Sequence, residues 1–115
     1  MRLLYLILAV LIILLGLVHI AATFGIYDAL TGRAIWFASG GVAIVLTGLL
    51  NLLNRAYGAA APGMRWSTIG ANAVMTAFAA LAGIAGAASN AQLVIIVGLF
   101  AVATVVSALP PRVSG

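Results

Sequence analysis

Four long apolar stretches constrain the fold of this chain more than any other feature. A helix that crosses a bilayer needs about 20 predominantly apolar residues. Four windows of the sequence meet that need: residues 3–25, 35–53, 66–87 and 91–109. Runs such as LVIIVGLFAVATVV do not alternate apolar and polar residues, as the strands of a membrane barrel do. The sequence therefore predicts an all-α membrane protein, a single domain over residues 1–115 with four transmembrane helices.

Composition argues against several classes of function. Apolar residues make up 66% of the chain and charged residues only 5%, whereas a soluble domain carries about 25% charged residues. The net charge of +4 comes from single arginines at segment ends rather than from a basic stripe, so nucleic-acid binding is not expected. The chain has no cysteine and no glutamate, which excludes thiol chemistry and a paired-carboxylate acid–base site within one chain. We therefore expect neither an enzyme nor a metal site.

The arginines predict the orientation of the helices. With four spans in up-down order, Arg2, Arg55, Arg65 and Arg112 share one side of the membrane and Arg33 lies on the other. The positive-inside rule then places both termini in the cytoplasm. The use of arginine without lysine, with abundant alanine and glycine, is typical of a GC-rich bacterial genome, so we expect the bacterial inner membrane. Aromatic residues at both predicted interfaces agree with this orientation: Tyr5, Tyr57 and Trp66 inside, Tyr27 and Trp36 outside.

Small residues predict which faces of the first span meet other helices. Ala9, Gly16 and Thr23 recur every seven residues and form one stripe, and His19 lies on the same side. Small and polar residues gather where membrane helices touch, because lipid provides little hydrophobic drive for helix association. We expect this stripe to face protein. The opposite positions, Leu4, Leu11 and Ile13 among them, are expected to face lipid.

The third span consists largely of alanine and glycine. Its Ala79, Gly83 and Ala87 are spaced by four residues, the small-xxx-small pattern that allows close backbone approach. We therefore expect these three residues to pack against other helices and the third span to be the most buried of the four.

His19, the single histidine, lies within the first span. At 1.5 Å per residue, it reaches the depth of Ser39, Gly40 and Gly41 in the second span. We expect the ring to bond Ser39 or a backbone carbonyl, with the glycines allowing close helix contact. Alternatively, the glycines leave an outer-leaflet crevice in which these residues and Thr23 hold a ligand, because ionisable residues within membranes are functional candidates.

Asparagines mark the inner ends of the second and third spans. Asn51 and Asn72 lie at similar depth and are joined by a short loop, so we expect their side-chain amides to bridge the two helices as a structural contact. The alternative is a polar floor to a transport path. Hydroxyl side chains are expected to bond the carbonyl four residues earlier in their own helix: Thr47, Thr76, Thr104 and Ser107.

Two hypotheses on function follow. The first is a non-enzymatic accessory or assembly subunit that associates, through its small-residue faces, with itself or with a larger membrane complex. The second is a small oligomeric transporter, or a binder of a hydrophobic ligand such as a lipid or haem, that uses the crevice beside His19. Haem can take one axial histidine, but a second ligand would have to come from another copy or be absent. No cofactor is therefore expected, and the predicted partners are the lipid bilayer and other membrane chains.

Overall fold

The computed structural model describes residues 2–86 and 89–110, and this part of the chain contains four α-helices. They are α1 (Arg2–Ile26), α2 (Gly32–Tyr57), α3 (Pro62–Ile84) and α4 (Asn90–Ala108). Each is long and apolar enough to cross a membrane. The predicted all-α class with four span-length helices is confirmed, and the bounds differ from the predicted windows by at most four residues.

Side-chain caps set the starts of α2 and α4. The hydroxyl of Thr31 accepts a hydrogen bond from the Ala34 amide at 3.3 Å, and α2 begins three residues before the predicted window. Ser89 caps α4 in a reciprocal arrangement with Gln92, in which each side chain accepts a hydrogen bond from the other residue's amide. Such a capping box satisfies two amides that have no partner within the helix.

Proline and glycine explain the bounds of α3. Pro62 lies in the first turn, where its fixed φ and missing N–H are well tolerated. At the other end, Gly86 adopts a φ of +72°, a conformation that suits glycine and stops a helix. The helix therefore ends at Ile84, and Ala87, the predicted end, lies outside the described residues.

Helices α1 and α2 form an antiparallel hairpin. Near the N-terminal end of α1, Arg55 Nε donates a hydrogen bond to the carbonyl of Arg2 at 3.0 Å. Toward the other end of α1, His19 contacts the carbonyl of Phe37 near the start of α2. Residues near the start of α1 therefore contact residues near the end of α2, and residues near the end of α1 contact residues near the start of α2.

Glycines bring the backbones of α1 and α2 into close contact. A Cβ added to Gly16 would lie 2.7 Å from the amide nitrogen of Val45 and 2.8 Å from the carbonyl oxygen of Gly41. One added to Gly48 would lie 2.6 Å from Ile13 Cγ1. The predicted stripe on α1 is buried as expected, with Ala9 fully enclosed and Gly16 and Thr23 also buried.

The lipid-facing positions predicted on α1 are correct only in part. Leu4 and Leu11 are exposed, at 42% and 43%. Ile13 does not belong with them, because its side chain is half-buried and packs against Gly48 of α2. A glycine on the facing helix leaves room for a large side chain, and that partner could not be identified from α1 alone.

Helices α3 and α4 form a second antiparallel hairpin. Arg65 Nη2, near the start of α3, donates to the carbonyl of Ala108 at 2.7 Å. This bond satisfies a carbonyl at the C-terminal end of α4, where the helix dipole also favours a cation. At the opposite end, half-buried Gly83 lies against the side chain of Leu93.

The prediction that α3 is the most buried helix is wrong. It buries only Thr68 and Asn72, whereas α1 buries six residues and α2 seven. Ala79 and Gly83 are half-buried. Small residues lie on both the exposed and the half-buried sides of α3, as Ala73 and Ala79 do, so their abundance does not direct any one face inward.

The apolar core lies where the two hairpins meet. Ile12 of α1, Ile44 of α2, and Phe100 and Ala103 of α4 form its buried cluster. Helix α3 contributes Met75, which is partly buried against the cluster. Above and below this core, polar side chains occupy the two ends of the bundle.

Candidate functional site

His19 contacts the second turn of the neighbouring helix α2. Its Nε2 lies 2.9 Å from the carbonyl oxygen of Phe37. Because a carbonyl only accepts, Nε2 must carry the proton and donate. The imidazole also stacks on the Phe37 ring, with centroids 4.1 Å apart and an interplanar angle of 14°. One residue of α2 therefore holds the ring through both a hydrogen bond and a stacked contact.

The space beside the glycines opposite His19 is filled by atoms of α1. A Cβ added to Gly40 would lie 3.4 Å from His19 Nε2, so the imidazole rests directly over that glycine. Gly41 packs against Ile20 and the backbone of Gly16. Of the two interpretations drawn from the sequence, this geometry favours packing over an open crevice.

The polar residues predicted to join His19 do so only in part. Thr23 is buried, and its hydroxyl donates to the His19 carbonyl at 3.4 Å. Ser39 is exposed and donates to the carbonyl of Trp36 at 2.6 Å. Of the two partners expected for the imidazole, Ser39 or a backbone carbonyl, the structure shows the carbonyl, that of Phe37, and Ser39 bonds within its own helix. Iron ligation through Nε2 would require the bond to Phe37 to break.

A buried amide pair joins the two hairpins near the opposite end of the bundle. Asn51 Nδ2 donates to Asn72 Oδ1 at 2.8 Å, and Asn72 Nδ2 donates to Asn51 Oδ1 at 2.8 Å. Both side chains are fully buried. The bridge expected from their matched depth is present, with both possible bonds formed.

Tyr5 and Asn54 extend this pair toward α1. The Tyr5 hydroxyl donates to Asn51 Oδ1 at 2.9 Å and accepts from Asn54 Nδ2 at 2.8 Å. Tyr5, expected at the membrane interface, and Asn54, for which the sequence predicts no contact, are both buried. The sequence does indicate the burial of Tyr5, because this residue lies four residues before Ala9 and so continues the buried stripe of α1.

Ser107 completes the network on α4. Asn72 Nδ2 also lies 3.3 Å from Ser107 Oγ and 3.4 Å from the carbonyl of Ala103. We call the five residues of this network the amide cluster: Tyr5, Asn51, Asn54, Asn72 and Ser107. They come from all four helices, so the cluster bonds the whole bundle together near one end.

The remaining hydroxyl groups bond mainly within their own helices. Thr47, Thr76 and Thr104 each donate to the carbonyl four residues earlier, at 2.7–2.8 Å. Ser107 donates instead to the carbonyl three residues earlier, at 3.0 Å. Apart from that shift in register, the expectation of intrahelical bonds is confirmed.

The chemistry available at these two sites is limited. The amides and hydroxyls of the amide cluster bond mainly to one another, with Asn54 Oδ1 buried and left without a partner among the described residues, and His19 is engaged by Phe37. Across residues 2–86 and 89–110, no three His, Asp, Glu or Cys side chains are grouped as a metal site requires. Comparison with models of known protein families, with curated proteins and with solved structures finds no match to this chain.

Proposed function

We propose that this protein is a multi-pass subunit of the bacterial inner membrane that assembles with other transmembrane helices and does no chemistry of its own. Its four spans run up and down with both termini in the cytoplasm. The surface through which it associates is the outward face of α3. The observation that carries this proposal is the contrast between the exposed faces of α1 and α3.

The exposed face of α3 includes a row of small side chains that stands beside large ones such as Phe78 and Leu81. Ser67, Gly70, Ala73 and Ala77 are all exposed along it. The exposed face of α1 instead carries leucine, isoleucine and valine, including Leu17 at 51%. Because small residues favour helix contact within membranes, this row on α3 is suited to another helix, and the exposed face of α1 is suited to lipid.

The polar interior supports a structural role. A buried polar group that lacks a partner is costly, and bonds between helices can hold a bundle in one arrangement. The amide cluster bonds Asn51 to Asn72 twice and carries no charged side chain. A transporter or ligand binder built around His19 is less well supported, because its Nε2 and ring face are both occupied by Phe37.

Association through α3 can be tested with one substitution. An added Cβ at Gly70 meets no atom of the described chain within 4 Å, so Gly70→Leu should leave the monomer folded and obstruct a partner helix. We expect the variant to migrate as a smaller species on native gels of mildly solubilised membranes. Ala21→Leu, at an exposed alanine of α1, is the matched control. Unchanged migration of Gly70→Leu would contradict the proposal.

The absence of cysteine allows a direct test of self-association. A single cysteine replacing Ala73 should form a disulfide with a second copy under mild oxidation if the partner is this same chain. A cysteine replacing Leu17 on the lipid-facing side of α1 should not. A monomeric Ala73→Cys protein that still migrates as a larger native species would identify a different chain as the partner.

The orientation can be tested with reporter fusions. A reporter after Gly115 should be active on the cytoplasmic side, and one inserted next to Asp28, between α1 and α2, on the opposite side. A C-terminal reporter active outside the cytoplasm would contradict the proposed topology without bearing on the α3 surface.

A further inference from the structure

The fold brings together two arginines that lie 53 residues apart in the sequence. Arg55, in the last turn of α2, donates through Nε to the backbone carbonyl of Arg2, the first residue of α1, at 3.0 Å. Arg2 is exposed and Arg55 is half-buried. In the part of the chain that the structure describes, the Arg2 guanidinium and the two Nη atoms of Arg55 have no hydrogen-bond acceptor. We call these two residues the arginine pair.

No acidic side chain of this protein neutralises the arginine pair. Arginine stays charged at any physiological pH, and two like charges held at one place repel each other. The chain has one acidic side chain, that of Asp28. It follows the far end of α1, about 39 Å from Arg2 along the helix, whereas exposed charges are largely screened beyond about 8 Å. The pair is therefore suited to an anion from outside the chain.

The other two arginines within the described residues are placed differently. Arg65 donates through Nη2 to the carbonyls of Ala108 and Leu109 at the end of α4, so its guanidinium already serves the second hairpin. Arg33 lies in the first turn of α2, at the opposite end of the first hairpin and five residues from Asp28. The fold thus makes one pair of neighbouring arginines out of residues that are scattered in the sequence.

The arginine pair lies at the depth of lipid headgroups. Helix α1 has 25 residues and a length of about 37 Å, whereas the hydrocarbon core of a bilayer is about 30 Å thick, so the ends of the helix extend into the headgroup region. Toward the membrane centre, exposed aliphatic side chains follow on both helices, Leu3 and Ile7 on α1 and Leu49 and Leu53 on α2. A phospholipid can therefore place its phosphate beside the cations and its acyl chains on this aliphatic surface.

We propose that Arg2 and Arg55 together bind the phosphate of one anionic phospholipid at this end of the first hairpin. A guanidinium binds phosphate through paired N–H donors, and the Nε bond to the Arg2 carbonyl orients the Nη atoms of Arg55. A lipid with net negative charge is preferred over a zwitterionic one, because no ammonium group of its own offsets the phosphate. The inference rests on the proposed insertion into a membrane, but not on the proposed subunit role.

The test is native mass spectrometry of the purified full-length chain in detergent, titrated with phosphatidylglycerol or with phosphatidylcholine of the same acyl chains. We expect the chain to bind one phosphatidylglycerol more tightly than phosphatidylcholine. Arg2→Gln removes one cation but keeps the backbone carbonyl that Arg55 contacts. It should weaken phosphatidylglycerol binding about fivefold and leave phosphatidylcholine binding unchanged. Equal affinity for the two lipids, or unchanged phosphatidylglycerol binding in Arg2→Gln, would overturn the proposal.

Two further variants separate a shared site from general attraction by the net charge. Arg55→Gln should weaken phosphatidylglycerol binding as Arg2→Gln does, and circular dichroism verifies that both variants remain folded. Arg33→Gln removes the same charge at the opposite end of the hairpin and should bind phosphatidylglycerol like the unaltered chain. A loss in Arg33→Gln equal to that in Arg2→Gln, or a loss in only one of the paired arginines, would refute a site made by the two together.

Inorganic phosphate distinguishes a lipid from a free anion. Added in large excess, it should leave the bound phosphatidylglycerol in place, because only the lipid also contacts the aliphatic side chains of the hairpin. Displacement of the lipid by inorganic phosphate would assign the pair to a free anion and overturn the proposal. Gly70→Leu, on α3, should retain the lipid whatever its migration on native gels, so the lipid site and the α3 association are read separately.

Discussion

The two hairpins use small residues in different ways. In the first, Gly41 and Gly48 stand seven residues apart on α2 and face α1, where Gly16 and Ile13 occupy the space they leave. In the second, alanine and glycine are interspersed with larger side chains on α3, and its close contact at Gly83 is with a leucine side chain rather than with backbone. Regular spacing alone does not bury a face, since Ala79 and Gly83 are also regularly spaced and are only half-buried; the face is buried where the facing helix fills the space that the glycines leave.

The largest expected effect comes from adding a methyl group where the first hairpin is closest. Gly16→Ala would place a Cβ 2.7 Å from the Val45 amide nitrogen and 2.8 Å from the Gly41 carbonyl oxygen. Backbone atoms cannot rotate away, so the helices must separate, and we expect the free energy of unfolding to fall by about 3 kcal/mol. Unfolding in mixed micelles measures it. Gly25→Ala, in open space on the same helix, is the control, and equal loss in both variants would contradict the close contact.

Breaking the amide cluster should have the next largest effect. Asn51→Ala removes the partner of Tyr5 and both bonds to Asn72, and the buried groups left behind should cost about 2 kcal/mol in unfolding free energy. Thr47→Val, one turn earlier, loses only a bond within its own helix and should cost less. A double-mutant cycle with Asn72→Ala measures the coupling, and a coupling near zero would show that the pair does not join the hairpins energetically.

The same methyl group in the second hairpin should be tolerated better. A Cβ added to Gly83 would collide with the side chain of Leu93, which can change rotamer. We expect Gly83→Ala to lower the free energy of unfolding by less than about 1 kcal/mol, measured under the same conditions as Gly16→Ala. A loss as large as that of Gly16→Ala would mean that both hairpins are equally intolerant, and the contrast between them would not hold.

The smallest effect is expected at His19. His19→Gln keeps a donor that can reach the Phe37 carbonyl and loses only the stacked ring, so we expect a change of about 0.6 kcal/mol or less, the average for interhelical bonds in membranes. Thermal unfolding in detergent measures it. A variant that folds normally but loses a cellular phenotype would instead assign His19 to a ligand or a proton path.

The buried stripe of α1 shows what the spacing of residues can predict without a structure. Ala9, Gly16 and Thr23 repeat every seven residues, and that repeat identified the face that meets α2. Tyr5 belongs to the same stripe, but its aromatic ring also suits a membrane interface, and the interface was preferred. A residue that suits two environments is assigned by its neighbours, which in this case are Asn51 and Asn54.

The sequence predicted a backbone carbonyl as one of two possible partners for His19, but it could not identify which carbonyl, for a related reason. The depth estimated from the rise per residue put His19 level with Ser39 and the glycines, and this estimate was accurate to about one helical turn. Its partner is the backbone carbonyl of Phe37. Every residue has such a carbonyl, so the sequence does not indicate which one His19 bonds. The rotation of α2 about its own axis decides which one is nearest.

The number, length and apolar character of the four helices were determined by sequence alone, because each span-length helix satisfies its own backbone hydrogen bonds whatever surrounds it. The amide pairing of Asn51 and Asn72 followed from depth along the helices. Which faces pack and which remain open was decided only by the tertiary structure. Packing depends on how side chains of two helices fit together, and the small-xxx-small pattern of α3 does not contain the shape of the helix that would have to meet it.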